Sequence, residues 1–274
     1  MIDLSVIIPV YNEEKTLRDI VNRIQAVVIP LHNMVGQAQA AGKAESVVLE
    51  IVLVDDGSVD SSPDILQDLK AHEQITDHFA GFTVIRQENG GKGAALKTGI
   101  AAARGNIVLF QDADLEYDPD DYPMMIKPIM SEEVEAVIGS RFLLDQNLFV
   151  NKWNLAYLRN HLGIRMITLL TNVLYRFNAT DYEGCYKAFS SSLIKSIPLE
   201  ADGFEIDNEL LCKIFRCGYQ VQEVPIHYYP RSYDEGKKIK FRDGIIILWT
   251  IIRWRVKSMQ LTKASQQAVK YQGR

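Results

Sequence analysis

Five short runs of apolar, largely β-branched residues constrain the fold of this chain more than any other feature: 4–10 (LSVIIPV), 50–58 (EIVLVDDGS), 82–87 (FTVIRQ), 106–111 (NIVLFQ) and 134–141 (VEAVIGSR). Near-continuous apolar runs without polar alternation suit strands covered on both faces. Residues at helical spacing lie between them. Leu17, Ile20, Val21 and Ile24 follow the first run, Ile65, Leu66 and Leu69 the second, and AALKTGIAAARG the third. Connections of about a dozen residues or more join parallel neighbours. The expected fold is therefore α/β, a mostly parallel sheet flanked by helices. Asn12 is expected to cap the first helix, with Glu13 and Glu14 in its first turn. Residues 29–47 read as a surface insertion without chemistry.

In sheets of this kind ligands sit at the carboxyl ends of the strands. Tyr11, Glu13, Asp55, Asp56, Asn89 to Lys92, Asp112, Asp114 and Arg141 all fall there. The densest group is LFQDADLEYDPDDY at 109–122, with six carboxylates in fourteen positions. Asp112 and Asp114 are two apart at a strand end, so an extended backbone points both to one side. Such a pair repels unless a cation separates it, and oxygen-only ligands select a hard ion such as Mg2+ or Mn2+. A calcium loop starting at Asp112 fails, because Tyr117 stands where glycine is needed and Pro123 where the bidentate glutamate belongs. Asp118-Pro119 reads as a turn, and Asp120 and Asp121 as first-turn helix residues with a structural role.

Other classes are excluded in turn. Gly91-Lys92-Gly93 lies at the third strand–helix junction without the third glycine of a dinucleotide fingerprint, and no G-x-x-x-x-G-K-[ST] occurs. Three cysteines, Cys185, Cys212 and Cys217, offer no zinc spacing. No signal peptide is expected at MIDLSVIIPV, and the longest C-terminal apolar run, IIILWTII, is far short of a membrane span. The formal charge of −5 conceals an asymmetry: residues 231–274 carry eleven Lys/Arg against three Asp/Glu, leaving nineteen against thirty-two in residues 1–230. A basic tail on an acidic body suits a phosphate-rich ligand or an anionic membrane. No nucleic-acid partner is expected.

The segments SVIIPVYNEE, IVLVDDGSVDSS, QENGGKGAALKTGI, FQDADLEYDP, IGSR, TDYEGCYKAF and EVPIHYYPRSYDEGKKI occur in that order from residue 4 to about 256. Together they resemble the family-2 inverting glycosyltransferases of GT-A (Rossmann-like) fold, of the polyprenyl-phosphate or dolichyl-phosphate mannose and glucose synthase type. The resemblance implies that Pro9, Tyr11, Glu13 and Asp56 hold the base and ribose of a UDP- or GDP-sugar, with Lys92 and Asp112 in the same pocket. It makes Asp112-Ala113-Asp114 the family's D-x-D and sets Glu116 where relatives often have a glutamine completing the metal shell. Asp112, Asp114 and Glu116 are thus the expected metal ligands.

A hydroxyl acceptor needs a general base, whereas a phosphate monoester is mostly deprotonated near neutral pH and needs cations instead. Arg141, Lys237 and Lys238 are expected to meet the phosphates, with Asp114 completing the catalytic set; Arg159, Arg165, Lys187 and Arg231 are further cations. The acceptor expected is a polyprenyl phosphate, met by a cytoplasmic enzyme with peripheral contact to the membrane face. The alternative is a soluble transferase acting on a saccharide, small-molecule or protein hydroxyl, with Asp181, Glu205 or Asp207 as base. TIIRW at 250–254 lacks the glutamine of processive synthases, and Gly163 stands where relatives commonly have serine. Residues 1–230 are expected to form the catalytic domain and 231–274 a basic loop, an amphipathic interfacial helix and a tail, with 166–175 as a second interfacial segment.

Overall fold

The computed structural model describes residues 1–34, 45–144, 155–230 and 241–259. The strands are β1 (Leu4–Val10), β2 (Leu49–Asp55), β3 (Phe79–Arg86), β4 (Ile107–Phe110), β5 (Ala136–Ser140), β6 (Lys187–Ser190) and β7 (Val221–Pro225). They form one sheet in the order β3-β2-β1-β4-β6-β5-β7. Neighbours are parallel except that β6 runs antiparallel to both β4 and β5. The helices are α1 (Leu17–Ala26), α2 (Ser62–Ala71), α3 (Lys92–Ala102), α4 (Tyr122–Met130), α5 (Leu155–Tyr175), α6 (Ser191–Ser196), α7 (Ile206–Arg216) and α8 (Phe241–Val256). The expected α/β architecture is present, including the C-terminal helix.

Every residue of β2 is buried, as the unalternated pattern requires of a strand covered on both faces. The small residues of α3 let it lie close on the sheet: a Cβ built on Gly99 would fall 2.4 Å from Ile7 Cγ2. One large core joins β1, β2, β4 and β5 to α1, α4 and α7. A smaller core joins Ile167 of α5, Cys212 of α7 and Ile247, Ile251 and Trp254 of α8. No helix among the described residues is long and apolar enough to cross a membrane.

Three local expectations are corrected. Asn12 does not cap α1, which starts at Leu17 behind Thr16; Asn12 takes a left-handed φ of 53° and spends its side chain on the β2–α2 turn. The second strand ends at Asp55, because Asp56 and Gly57 turn away, Gly57 at φ 74°. The 29–47 segment is not wholly superficial, since Ile29, Leu31, Met34 and Val47 are core residues and Pro30 bridges Ser46. Residues 35–44 between them lie outside the description.

Candidate active site

The carboxyl ends of β1 and β2 are stitched together by backbone-to-side-chain bonds. Asn12 N donates to Ser58 Oγ at 3.0 Å, Val59 N to Asn12 Oδ1 at 2.9 Å, and Glu13 N to Ser62 Oγ at 3.0 Å. Pro9, half-buried in β1, and the exposed ring of Tyr11 border this ledge. Asp56 lies beneath it, buried. Its carboxylate accepts from Gln87 Nε2 at 2.7 Å, Gly90 N at 2.9 Å and Gly91 N at 2.8 Å. Asp56 therefore fastens the loop that delivers Lys92, a task the sequence reading did not anticipate. On its other side the loop meets Asp202, whose carbonyl accepts from Gly93 N at 2.7 Å and from Ala94 N at 3.2 Å. Gly91 has a φ of 97°, and a Cβ on it would fall 2.5 Å from that carbonyl oxygen. Only glycine fits there.

Lys92, the first residue of α3, reaches across to the D-x-D. Its Nζ stands 2.8 Å from Asp112 Oδ1, with the two side chains only 15% and 25% exposed. Burial works against both charges. The pairing prevails, holding the ammonium well above the ordinary lysine range and the carboxylate below the usual aspartate one. The Cys185 thiol also bonds Asp112, and burial pushes that thiol far up, so it stays a neutral donor. Lys187 is buried, bonds the Gly184 carbonyl, and lies 3.3 Å from Asp207 Oδ1 in the first turn of α7. That Asp207 oxygen makes no hydrogen bond. Signs alternate through this buried group from Lys92 to Asp207.

Beyond Asp112 the loop bends sharply. Leu115 sits at φ 61°, a costly conformation for a branched residue that concentrates at functional sites. Asp114 Oδ1 accepts from Glu116 N at 3.1 Å. Glu116 accepts from Tyr228 Oη at its carboxylate and from Tyr229 N at its carbonyl. A second clasp joins the same segments: His227 donates its backbone N to Asp121 Oδ2 at 2.6 Å, while its Nδ1 lies 2.8 Å from Asp121 Oδ1. The Asp121 carboxylate raises the exposed imidazole's pKa; burial raises that of Asp121, but two donors hold it as the anion. Asp121 is thus structural as expected, through His227 and not through a helix dipole.

Arg141, just past β5, is only 8% exposed. Its Nε and Nη2 meet Asp181 Oδ2 and Oδ1 at 2.6 and 2.9 Å, and its guanidinium carbon lies 5.1 Å from the Tyr228 ring centre. Burial opposes the charge of each partner, and the pairing outweighs it, raising Arg141 and lowering Asp181. The Arg141 fork is thus already engaged, and Asp181 is a poor proton acceptor. Arg165 of α5 stands over Phe142 at 4.9 Å, Arg141 over the same ring at 5.8 Å, and the His161 ring 5.6 Å away. Arg231, Lys237 and Lys238 lie outside the described residues.

The site thus brings Lys92, Asp112, Cys185, Lys187 and Asp207 together, with Asp114 and Glu116 on the adjoining loop. Asp112, Asp114 and Glu116 are not gathered ready to chelate: among the described residues no three His, Cys, Asp or Glu side chains form a metal cluster. Their chemistry still fits a hard cation. Mg2+ is commonly held by one or two carboxylates plus substrate phosphates, without an all-protein cage. Cys185, Asp202 and Tyr228 went unread as site residues because each acts through tertiary contacts that no spacing announces.

Residues 5–197 match the family model described as glycosyl transferase family 2. The chain is 28% identical over 261 residues to the UDP-N-acetylglucosamine–dolichyl-phosphate N-acetylglucosaminyltransferase of Methanococcus voltae, covering 91% of this chain and 94% of that one. It is 27% identical over 202 residues to a dodecaprenyl-phosphate galacturonate synthase of Rhizobium johnstonii, covering 72% of this chain and about half (51%) of that relative. Its fold resembles glucosyl-3-phosphoglycerate synthase from Mycobacterium tuberculosis in complex with Mn2+, UDP and phosphoglyceric acid, with a TM-score of 0.61 at 20% identity over 93% of this chain and 79% of that one. With well over half its length matched by that family model, the chain is a glycosyltransferase and belongs to glycosyl transferase family 2.

Proposed function

We propose that this enzyme moves a hexose from a UDP- or GDP-sugar to a polyprenyl phosphate, inverting the anomeric centre. The observation that carries the acceptor class is the state of Asp181. Asp181, one of the three carboxylates expected as base for a hydroxyl acceptor, is locked on Arg141, and a phosphate acceptor needs no base. A phosphate oxygen attacks the anomeric carbon as the bond to the nucleoside diphosphate breaks; the electron pair leaves with the diphosphate. Relatives that share the family and are named for dolichyl or dodecaprenyl phosphate support this choice.

Pro9, Tyr11, Glu13 and the Asp56-fastened loop form the donor ledge, with the base and ribose on the ledge and Lys92 near the diphosphate. Asp112, Asp114 and Glu116 would hold Mg2+ or Mn2+, which would offset the charge developing on the leaving diphosphate. Arg141, together with Lys237 and Lys238, is assigned to the phosphate side. Because Asp181 takes two of its guanidinium nitrogens, Arg141 works as an oriented cation and not as a free fork. A second reading, transfer to a hydroxyl with Asp207 as base, draws on the Asp207 oxygen that makes no hydrogen bond.

A donor panel of UDP-glucose, UDP-N-acetylglucosamine and GDP-mannose, each with and without a short-chain polyprenyl phosphate, separates the two. Product on the lipid phosphate is expected. Faster transfer to a water-soluble hydroxyl acceptor, abolished by Asp207→Asn, would install the second reading.

A further inference from the structure

Between α6 and α7 the chain runs from Ile197 to Glu205 without forming strand or helix. Pro198, Glu200 and Asp202 lie exposed at the surface, yet the main chain there is held from behind by a buried ion pair. Glu209 and Lys213, one turn apart on α7, are each only 1% exposed and bond each other. The Glu209 carboxylate accepts from Glu200 N at 2.9 Å and from Ala201 N at 2.6 Å, while the Lys213 ammonium donates to the Pro198 carbonyl. Lys213 Nζ also stands 3.7 Å from the ring centre of the buried Trp254 on α8. From the end of that helix, Arg253 Nη2 and Lys257 Nζ meet the Glu200 carboxylate at 2.8 and 2.7 Å.

The front of the same segment meets the loop that carries Lys92. The Asp202 carbonyl accepts from Gly93 N and Ala94 N, the two amides directly after Lys92, and Lys97 Nζ lies 2.6 Å from the Asp202 carboxylate. The contact is closed: a Cβ built on Gly93 would fall 2.7 Å from the Asp202 carbonyl carbon and 2.8 Å from Ala201 O. A buried ion pair seldom stabilises a fold more than apolar packing of the same volume would, and what it can supply is a fixed geometry. The geometry fixed here ends at Lys92. We infer that Glu209, with Lys213, is a positioning residue for donor binding: through the strap 198–202 it sets the start of α3 and thereby the reach of the Lys92 ammonium toward the donor diphosphate. The diphosphate end of this chain of contacts rests on the donor reading above; the tie from Glu209 to the start of α3 does not.

The test uses the full chain and calorimetry with UDP and GDP in Mg2+, each beside its nucleoside. Glu209→Leu combined with Lys213→Met replaces the buried pair by apolar side chains of similar size and takes the acceptor from both strap amides. It should weaken diphosphate binding about threefold or more, part of the roughly tenfold loss expected of Lys92→Met, which deletes a hydrogen bond to a charged group, and leave nucleoside affinity unchanged. In a Lys92→Met background the same change should cost less than about twofold, because residues acting through one group do not add. Glu209→Gln combined with Lys213→Met also lacks the ion pair but keeps an acceptor for a strap amide, and should recover part of the loss. If urea unfolding shows that the first double variant does not fold, Gly93→Ala takes its place: it leaves Glu209 intact, drives a methyl group against the strap and carries the same expectation. Hydrogen exchange supplies a readout without nucleotide. The Gly93 and Ala94 amides should exchange faster in the double variant, and Ala94 in Gly93→Ala, while Leu96 to Ala102 stay as in wild type. Diphosphate affinity that falls equally with and without Lys92 overturns the inference, and so does wild-type exchange at these amides in a folded variant. Lys92→Met that binds diphosphate as wild type does sinks the donor assignment of Lys92 and leaves the strap to be decided by exchange.

Discussion

Replacing Asp56 by asparagine separates two roles that donor binding alone cannot tell apart. The carboxylate accepts Gln87 Nε2 and Gly90 N on Oδ1 and Gly91 N on Oδ2. Asparagine keeps the shape but has one oxygen. If that oxygen takes the Oδ1 place, the new NH2 faces the Gly91 N–H; flipped, it faces the other two donors. At least one donor loses its acceptor, and the survivors lose the strengthening given by the negative charge. Leaving a buried donor unsatisfied costs about 1–3 kcal/mol. For a chain of this length that lowers Tm by roughly 2–5 °C.

Gly91 immediately precedes Lys92, so the loosened loop should also weaken donor binding. Urea unfolding of the apo protein and calorimetry with a UDP- or GDP-sugar give both readings. If Asp56→Asn loses donor affinity with its unfolding free energy unchanged to within about 0.5 kcal/mol, well below the cost of one orphaned donor, the carboxylate touches the donor and does not fasten the loop.

Asp114→Ala should abolish transfer, and added EDTA should do the same to the wild type; full turnover in chelator would refute the metal assignment. Arg141→Gln strips a buried partner from Asp181 and should destabilise the fold by about 3–5 kcal/mol, so its loss of activity must be read beside a denaturation curve; an unaltered curve contradicts the pairing. His227 has a raised pKa in the folded protein, so the stability it contributes is complete below about pH 6.5 and disappears as pH rises through the folded value. Unfolding midpoints should fall across that interval in wild type and stay flatter in His227→Gln. Lys92→Met should let Mn2+ bind measurably better without nucleotide, by electron paramagnetic resonance, because Asp112 Oδ1 loses its internal cation; an unchanged Mn2+ affinity would show that Lys92 does not compete for that oxygen.

The parallel half of the sheet was legible because β1, β2 and β4 are buried on both faces and their sequences carry no alternation to mislead. The antiparallel β6 was not. It is four residues long and opens on Lys187, a residue that reads as solvent-facing, yet here is buried beside the Gly184 carbonyl and Asp207. β7 was missed for a related reason: Gln222 and Glu223 interrupt a five-residue run, and Glu223 is spent on Thr180 and Asp181 amides. Asn12 misled because Asn followed by two glutamates satisfies the rules for a helix start, while the tertiary bonds to Ser58 and Val59 offer it more than a cap does.

The same distinction explains which candidate site residues the sequence could single out. Asp112 and Asp114 announce themselves by spacing at a strand end, and Lys92 by its glycine neighbours. What spacing cannot convey is that Lys92 and Asp112 meet each other. The pair settles the repulsion that two adjacent carboxylates would otherwise suffer without a bound cation, and the neutral Cys185 thiol adds a donor to the same carboxylate. Under the proposed metal assignment, an internal ammonium and an external divalent ion would draw on one oxygen. A diphosphate arriving at the loop would provide a second anion for Lys92, so nucleotide binding and release of Asp112 would favour one another. On this argument the proposed metal site would be completed only by the donor's own phosphates.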